Sequence, residues 1–556
     1  MRGRAACGAA LALTACAGAP GSSSPADGGG GGVDLQVLSL SAWLGQLDPI
    51  GETDDAGTTR QYGGLATLSS YFAADRKANA NTILLVGPDS FGASPPLSSQ
   101  FQDEPSIAAL GFLGASCDTL SNHDFNNGIP YLQHLVGLAS FPYVTSNMSG
   151  VDTALGSDVR VPYLLVHAGG ATIGVLGITN PDAPNHTFPG RFGAIAISSP
   201  VAATNAAATA ARAAGAEAVV AITDLATANV SAAGVHSGPL IDFASGLRGV
   251  DVVLGSNDTN PGAPRVGNVL VVEHTWKGRT YGRTQLHLRG GGAPATAEVV
   301  APDIAGLPPD PRAQALLAPY REQLAMIFDS SVAVTTGVFP LDGSERTGEI
   351  ALGDLIADAF LARYASLGAQ IAVINGAGIR DSLPSTYVPA AKALRRPASG
   401  FAAGPPYDVL VGDAYTVLPF GNMCVVRTVT GAVLWSMLEQ SVFSEPAPFK
   451  GFLQIAGFKF SYKASASPGA RVQSVTLDDG TSISRDDARS WVLVDTDYVD
   501  RGGDGYGMLV QTPAAPTLDV AAEVFLDYVE TSGPLAPGSE SAGSGTGPGG
   551  RITKIP

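Results

Sequence analysis

The chain is poor in basic charge: 32 Lys and Arg stand against 49 Asp and Glu, a formal net charge of −17. No basic stripe is present that could release counterions from a nucleic-acid backbone, which argues against a polynucleotide partner. Small anionic ligands stay open, because a local Arg cluster can outweigh the global field. Cysteine is scarce as well. Of four, Cys7 and Cys16 fall at the extreme amino terminus, and Cys117 and Cys424 lie in opposite halves, so they read as two buried thiols rather than a disulfide. Past the amino terminus no stretch is long and apolar enough for a transmembrane helix. Apolar content itself is ample: 45% hydrophobic with 15% charged residues is globular composition, and 556 residues exceed one core, so two domains are expected.

The opening "MRGRAACGAALALTAC" places Arg2 and Arg4 before an apolar stretch too short to span a bilayer, which reads as an export signal. Leu13-Thr14-Ala15-Cys16 resembles a bacterial lipobox, with cleavage before Cys16 and acylation of its sulfur; a plain signal peptide is the alternative. Residues 1–15 are then a lipoprotein signal peptide and 16–32 a flexible Gly/Ser tether. The expected location is the bacterial cell envelope, extracytoplasmic and lipid-anchored, with membrane contact through the lipid only.

From Leu35 onward, short apolar runs alternate with Ala-rich helical stretches. "LQVLSL", "NTILLVG", "ATIGVLGIT", "AEAVVAIT" and "VDVVLGS" predict strands, and "GLATLSSYFAADRKA" and "PVAATNAAATAARAAG" predict helices between them. In such a layered α/β plan, ligands gather at loops after the carboxyl ends of strands. Residues 307–328, with prolines before a sustained helical period, predict a bridging helix. A second α/β domain follows, ending in "RITKI" as a last strand. The divisions are 33–302 for the first domain, 303–330 for the linker with its helix, and 331–556 for the second domain.

In order, the landmarks resemble the 5′-nucleotidase family. Arg346 stands three residues before Glu349; Asn375-Gly376-Ala377-Gly378-Ile379-Arg380 matches Asn-Gly-Gly-Gly-Ile-Arg; Pro419-Phe420-Gly421 and Tyr498 with Gly502-Gly503-Asp504 complete the set. The resemblance implies a four-layer calcineurin-like metallophosphoesterase sandwich, a bridging helix and a 5′-nucleotidase-type α/β carboxy-terminal domain. It further implies that Phe420 and Tyr498 sandwich a base, that Asn375, Gly378 and Asp504 meet base and ribose, and that Arg346 and Arg380 steer the anionic end. An aromatic slot contributes about 1–3 kcal/mol per stacked face, and guanidinium forks suit phosphate oxygens.

The first half carries the family pattern unevenly. A two-metal phosphoesterase surrounds its cations with a bridging carboxylate, an amide oxygen and several imidazoles. Where Asp-x-His is expected, Ala42 and Leu44 stand. Asp89 keeps the bridging carboxylate, and "SNHD" keeps Asn122 and His123. The resemblance makes His123 the catalytic imidazole and Asp124 its orienting partner. Asp224 replaces a strand-following His, and Ser256 and Asp258 replace the two of Gly-His-x-His. The surviving set Asp89, Asn122, Asp224 and Ser256 is all oxygen, which shifts preference to one hard divalent cation such as Mg²⁺, Mn²⁺ or Ca²⁺. Crowded carboxylates without a cation would hold a proton instead. The other six histidines, His134, His167, His186, His236, His274 and His287, fit no ligand spacing and read as structural or surface groups.

Two functions are therefore expected. One is weak hydrolysis of nucleoside monophosphates with at most one metal; the other is a catalytically inactive nucleotide or nucleoside receptor without a cofactor. The segment 384–408 is longer than the family's usual connection and has no role on this reading.

Overall fold

The computed structural model describes residues 32–53, 59–187, 190–257, 260–289, 294–510, 516–538 and 550–556. The expected signal peptide, Cys16, the expected tether before residue 32 and Asp258 lie outside the described residues.

The apolar runs form strands with both faces covered. In Val33–Leu40, Leu35 and Val37 join a core with Val175, Val220, Leu254 and Val272, while Leu38 and Leu40 pack with Phe72, Leu110 and Leu135. Alternate side chains serve opposite layers, so the strand reads as continuously apolar rather than alternating.

That split builds four layers. A seven-stranded sheet runs in the order 296–300, 281–288, 33–40, 82–86, 115–119, 143–144, 159–160. It faces a six-stranded sheet ordered 265–266, 269–275, 252–257, 218–223, 171–178, 164–168. Helices Leu65–Ala78, Glu104–Leu113 and Ile129–Leu138 cover the outside of the first sheet, and Pro200–Ala213 and Pro239–Ser245 that of the second. Cys117 is a buried free thiol between the sheets, and Cys424 is a second one in the other half.

The bridging helix spans Pro311–Phe328. Asp310 caps it by accepting from Arg312 N at 2.9 Å and also accepts from Ser69 Oγ at 2.7 Å, tying its start to the first half. Beyond it lies a five-stranded sheet ordered 453–456, 371–375, 490–496, 423–430, 516–520, with helices Ala351–Arg363 and Ala521–Thr531 in its apolar core. A three-stranded sheet pairs Phe458–Lys463 with Val472–Leu477 and with the closing strand Ile552–Ile555. No helix among the described residues is long and apolar enough to cross a membrane.

The segment 384–408 is a strap over the end of the bridging helix. Tyr387 Oη donates to Asp329 Oδ1 at 2.7 Å and Ala390 N to Asp329 Oδ2 at 2.8 Å. Arg396, buried, makes a two-pronged pair with buried Asp413 at 2.6 Å and donates to Ser385 O at 3.0 Å. Ser399 Oγ reaches Gln61 Oε1 of the first half at 3.3 Å.

Candidate functional site

The loops after parallel strands of the first half meet the second half at a cavity of about 270 Å³. Its walls include Asn122, His123, Asn126 and His186 on one side and Asn375, Gly378, Arg380, Phe420, Lys450, Tyr498 and Asp504 on the other.

On the second side, strand Ile371–Asn375 ends in the Gly-rich turn. A Cβ at Gly376 would meet Glu345 O at 2.3 Å, and one at Gly378 would meet Asn375 Oδ1 at 2.8 Å, so both positions need glycine for close approach. Asn375 Nδ2 donates to Asp504 Oδ2 at 2.8 Å, and Tyr498 Oη donates to Asp504 Oδ1 at 3.1 Å. This fixes the Tyr498 ring and the Asn375 amide together. Among the described residues, buried Asn375 Oδ1 has no hydrogen-bond partner, a costly state unless a ligand donates to it. Phe420 lies on the same cavity, parallel to the His123 ring at 6.1 Å and 9°. The Arg380 guanidinium lies 5.7 Å from the Phe420 centroid and 5.5 Å from that of Trp276. Arg346 does not line the cavity; its Nε is 3.2 Å from Glu345 Oε1.

The first side is arranged differently. Ala42, Leu44 and Asp89 all have left-handed backbone, with φ of 45°, 52° and 62°. The two loops run together, Ala42 N donating to Pro88 O and Leu44 N to Asp89 O, both at 2.9 Å. Asp89 Oδ1 accepts from His123 N at 3.0 Å. Asp224 accepts from Ser121 Oγ and, at 2.8 Å, from Asn180 N. Asn122 Oδ1 lies 3.4 Å from the same Ser121 Oγ, whose one proton goes to Asp224. Ser256, next to last in the strand Val252–Asn257, pairs with His274 and does not line the cavity.

The Asp124 expectation needs correction. Its Oδ2 accepts from Ser121 N at 2.7 Å and Asp89 N at 3.3 Å, so it ties two loops rather than orienting the imidazole. His123 Nδ1 instead faces Asn126 Nδ2 at 2.9 Å, and the same amide nitrogen donates to Gly92 O at 2.8 Å. An amide NH₂ only donates, so Nδ1 is the acceptor and the neutral ring carries its proton on Nε2. Enclosure in the cleft, then the positive charges of Arg380 and Lys450, hold His123 well below the usual imidazole range. A neutral ring results.

Buried acids surround this wall. Burial, with the neighbouring Asp224 charge, pushes Asp89 up to about 7. Burial also takes Asp118 to about 8 and Asp124 well above the carboxylate range. Among the described residues, no group of three or more His, Cys, Asp or Glu is placed to hold a metal ion. Two of the positions where the family pattern expects donors, Ala42 and Leu44, carry no side-chain atom that could bind a cation.

His186, read as structural or surface, lines the cavity; its Nδ1 is 3.9 Å from Asp504 Oδ1. Sequence reading also passed over Asn126 and Lys450. Asn126 carried a signal, standing three residues after His123 in one tight helical turn. Lys450 carried none.

Residues 331–511 match the family described as 5′-nucleotidase, C-terminal domain. Cell wall protein Lmo0130 of Listeria monocytogenes is 24% identical, covering 90% of this chain and 67% of its own length. A 5′-nucleotidase of Vibrio vulnificus is also 24% identical, over 84% of this chain and 86% of its own. Other relatives are longer, and the chain spans 40% and 30% of two of them. Among solved structures, the 5′-nucleotidase precursor of Thermus thermophilus superposes with a TM-score of 0.78 at 24% identity, covering 94% of this chain and 99% of its own. The chain therefore shares the two-domain fold of that 5′-nucleotidase precursor, with the 5′-nucleotidase C-terminal domain in its second half.

Proposed function

We propose that this chain, a member of the 5′-nucleotidase family, binds nucleoside monophosphates in the cleft between its halves and hydrolyses their phosphate ester weakly. The base lies between Phe420 and Tyr498, with Asn375 and Asp504 meeting base and ribose, and the phosphate lies toward Arg380 and His123. The observation that carries the reading is Asn375 Oδ1, buried and unpartnered on a cavity wall that also holds two aromatic rings. A nucleobase amine or a ribose hydroxyl supplies the missing donor. Cys16 and the preceding apolar stretch support an exported, lipid-anchored protein.

Metallophosphoesterases generally use divalent metal, which polarises a phosphoryl oxygen and generates hydroxide. Here the metal locus is read as degenerate: Ala42 and Leu44 offer no donor, and Asp224 is turned to Ser121 and Asn180. This chain's own contributions are the Nε2 proton of neutral His123, offered to a phosphate or leaving-group oxygen, and the Arg380 guanidinium. Losing metal assistance removes several kcal/mol of charge stabilisation, so turnover is far below that of intact relatives. The same hydrogen bonds favour, as a second reading, a receptor that binds without turnover.

Titration with adenosine and with AMP tests the site. Phe420→Ala should weaken both by about 1–3 kcal/mol, from roughly fivefold to more than a hundredfold; unchanged affinity for both removes the foundation of either reading. Phosphate release abolished by His123→Ala supports the enzyme, and binding with no release in any metal supports the receptor.

A further inference from the structure

Two strongly placed cations on the second wall come from backbones bonded to one another. Phe449 N donates to Arg346 O at 2.8 Å, Ala377 N donates to Lys450 O at 2.8 Å, and Arg380 follows three residues after Ala377 with its own N on Val417 O at 2.8 Å. The close approach at Gly376 to the Glu345 carbonyl brings these segments together. Lys450 thereby projects into the cavity opposite Asn122 and His123. Its side chain is accessible inside the cleft while protein surrounds it, and among the described residues no hydrogen bond or ion pair engages its ammonium. The charge nonetheless reaches across the cleft: it favours the ionised forms of Asp89 and Asp224 and disfavours a charged His123. The ammonium thus stands over a first-half wall lined by the buried acids Asp89 and Asp224.

We propose that Lys450 supplies the positive charge at this locus, so that the phosphate group of a phosphomonoester is held by Lys450 and Arg380 from one half and by Asn122 and His123 from the other, without a divalent metal. This rests on the nucleotide reading for the ester's identity, though not for the anion. The geometry gives the phosphate charge-assisted donors on one side and the neutral Nε2–H and Asn122 amide on the other. It also explains how a chain of net charge −17 can attract an anion into its cleft.

The test is calorimetric titration of the full chain with AMP, adenosine and inorganic phosphate, in EDTA and again with Mn²⁺. AMP affinity should be the same in both. Lys450→Met should weaken AMP and inorganic phosphate about tenfold to a hundredfold while leaving adenosine unchanged, and Lys450→Arg should retain most of the affinity. Lys450→Gln repeats the measurement with a polar side chain, and a thermal melt of each variant checks folding. AMP binding that collapses in EDTA and returns with Mn²⁺, or phosphate binding indifferent to Lys450, overturns the proposal. Weakened phosphate binding alongside adenosine affinity that ignores Phe420→Ala would sink the nucleotide reading and leave this one standing.

Discussion

The two walls of the cleft are built differently. On the first, Asp89, Asp124 and Asp224 each accept from backbone amides of their own half, while Asp124 Oδ1 has no partner among the described residues. On the second, Asn375 Oδ1 lacks a partner, and no hydrogen bond or ion pair among the described residues engages the Lys450 ammonium. A wall that binds must leave donors and acceptors unsatisfied at a stability cost, whereas a wall relieved of that role can close on itself. The contrast is also one of charge: Arg380 and Lys450 of the second wall face the buried acids of the first.

The largest expected effect attacks that contrast directly. Arg380 is mostly buried against Trp276 and Phe420, and its carbonyl takes Lys277 Nζ at 3.1 Å, so its side chain is held in place over the cavity. Arg380→Gln keeps much of the bulk and removes the charge. AMP affinity should fall by about 2–3 kcal/mol, on the order of a hundredfold, with adenosine nearly unaffected. Equal losses for both ligands in a titration would show that Arg380 supports the fold of the cleft rather than the anion.

An effect on stability, smaller for each group and pH unit, distinguishes the first wall. Asp118 at about 8 and Asp89 at about 7 sit above the unfolded carboxylate range, so the folded chain keeps protons that the unfolded chain has lost between about pH 4 and pH 8. The folded state then binds more protons, and stability falls as pH rises, at up to about 1.4 kcal/mol per unit for each group. What is present in full below about pH 4 is gone once pH has passed the folded value. Melting temperatures from pH 5 to 8.5 should decline, and Asp118→Asn should flatten the slope. A rising profile would mean that these acids are ionised and paired with a cation.

Much of the fold was legible because strands buried on both faces read as unbroken apolar runs: 82–86, 171–178 and 218–223 all formed where expected. The helix Pro311–Phe328 was marked by its prolines and its period. The strap was not. Its meaning lies in Arg396 meeting Asp413 and in Tyr387 meeting Asp329, contacts that appear only when the chain folds back. The site divides in the same way. Asn375, Arg380, Phe420, Tyr498 and Asp504 sit in a recognisable order and do share one cavity. Asp124 misled because adjacency to His123 suggested a partner, when a 3₁₀ turn carries the adjacent side chain away and brings Asn126 back under the ring. Lys450 and His186 join through space alone.

The smallest predicted effect concerns backbone rather than side chains. Ala42 keeps φ of 45° although it has no side chain to present to a ligand, and such a conformation costs a non-glycine residue about 1–2 kcal/mol. Glycine adopts it freely but loses about 0.5–1 kcal/mol to greater freedom in the unfolded chain. Ala42→Gly should therefore raise stability by about 1 kcal/mol or less, readable as a small increase in the denaturation midpoint, with AMP affinity unchanged. If the first wall still positioned a ligand through this loop, loosening it would weaken AMP instead. A stabilised variant with intact binding would mark the strained turn as a conformation the first wall no longer uses, held in place by Pro88 O accepting from Ala42 N and by Lys277 N donating to Ala42 O.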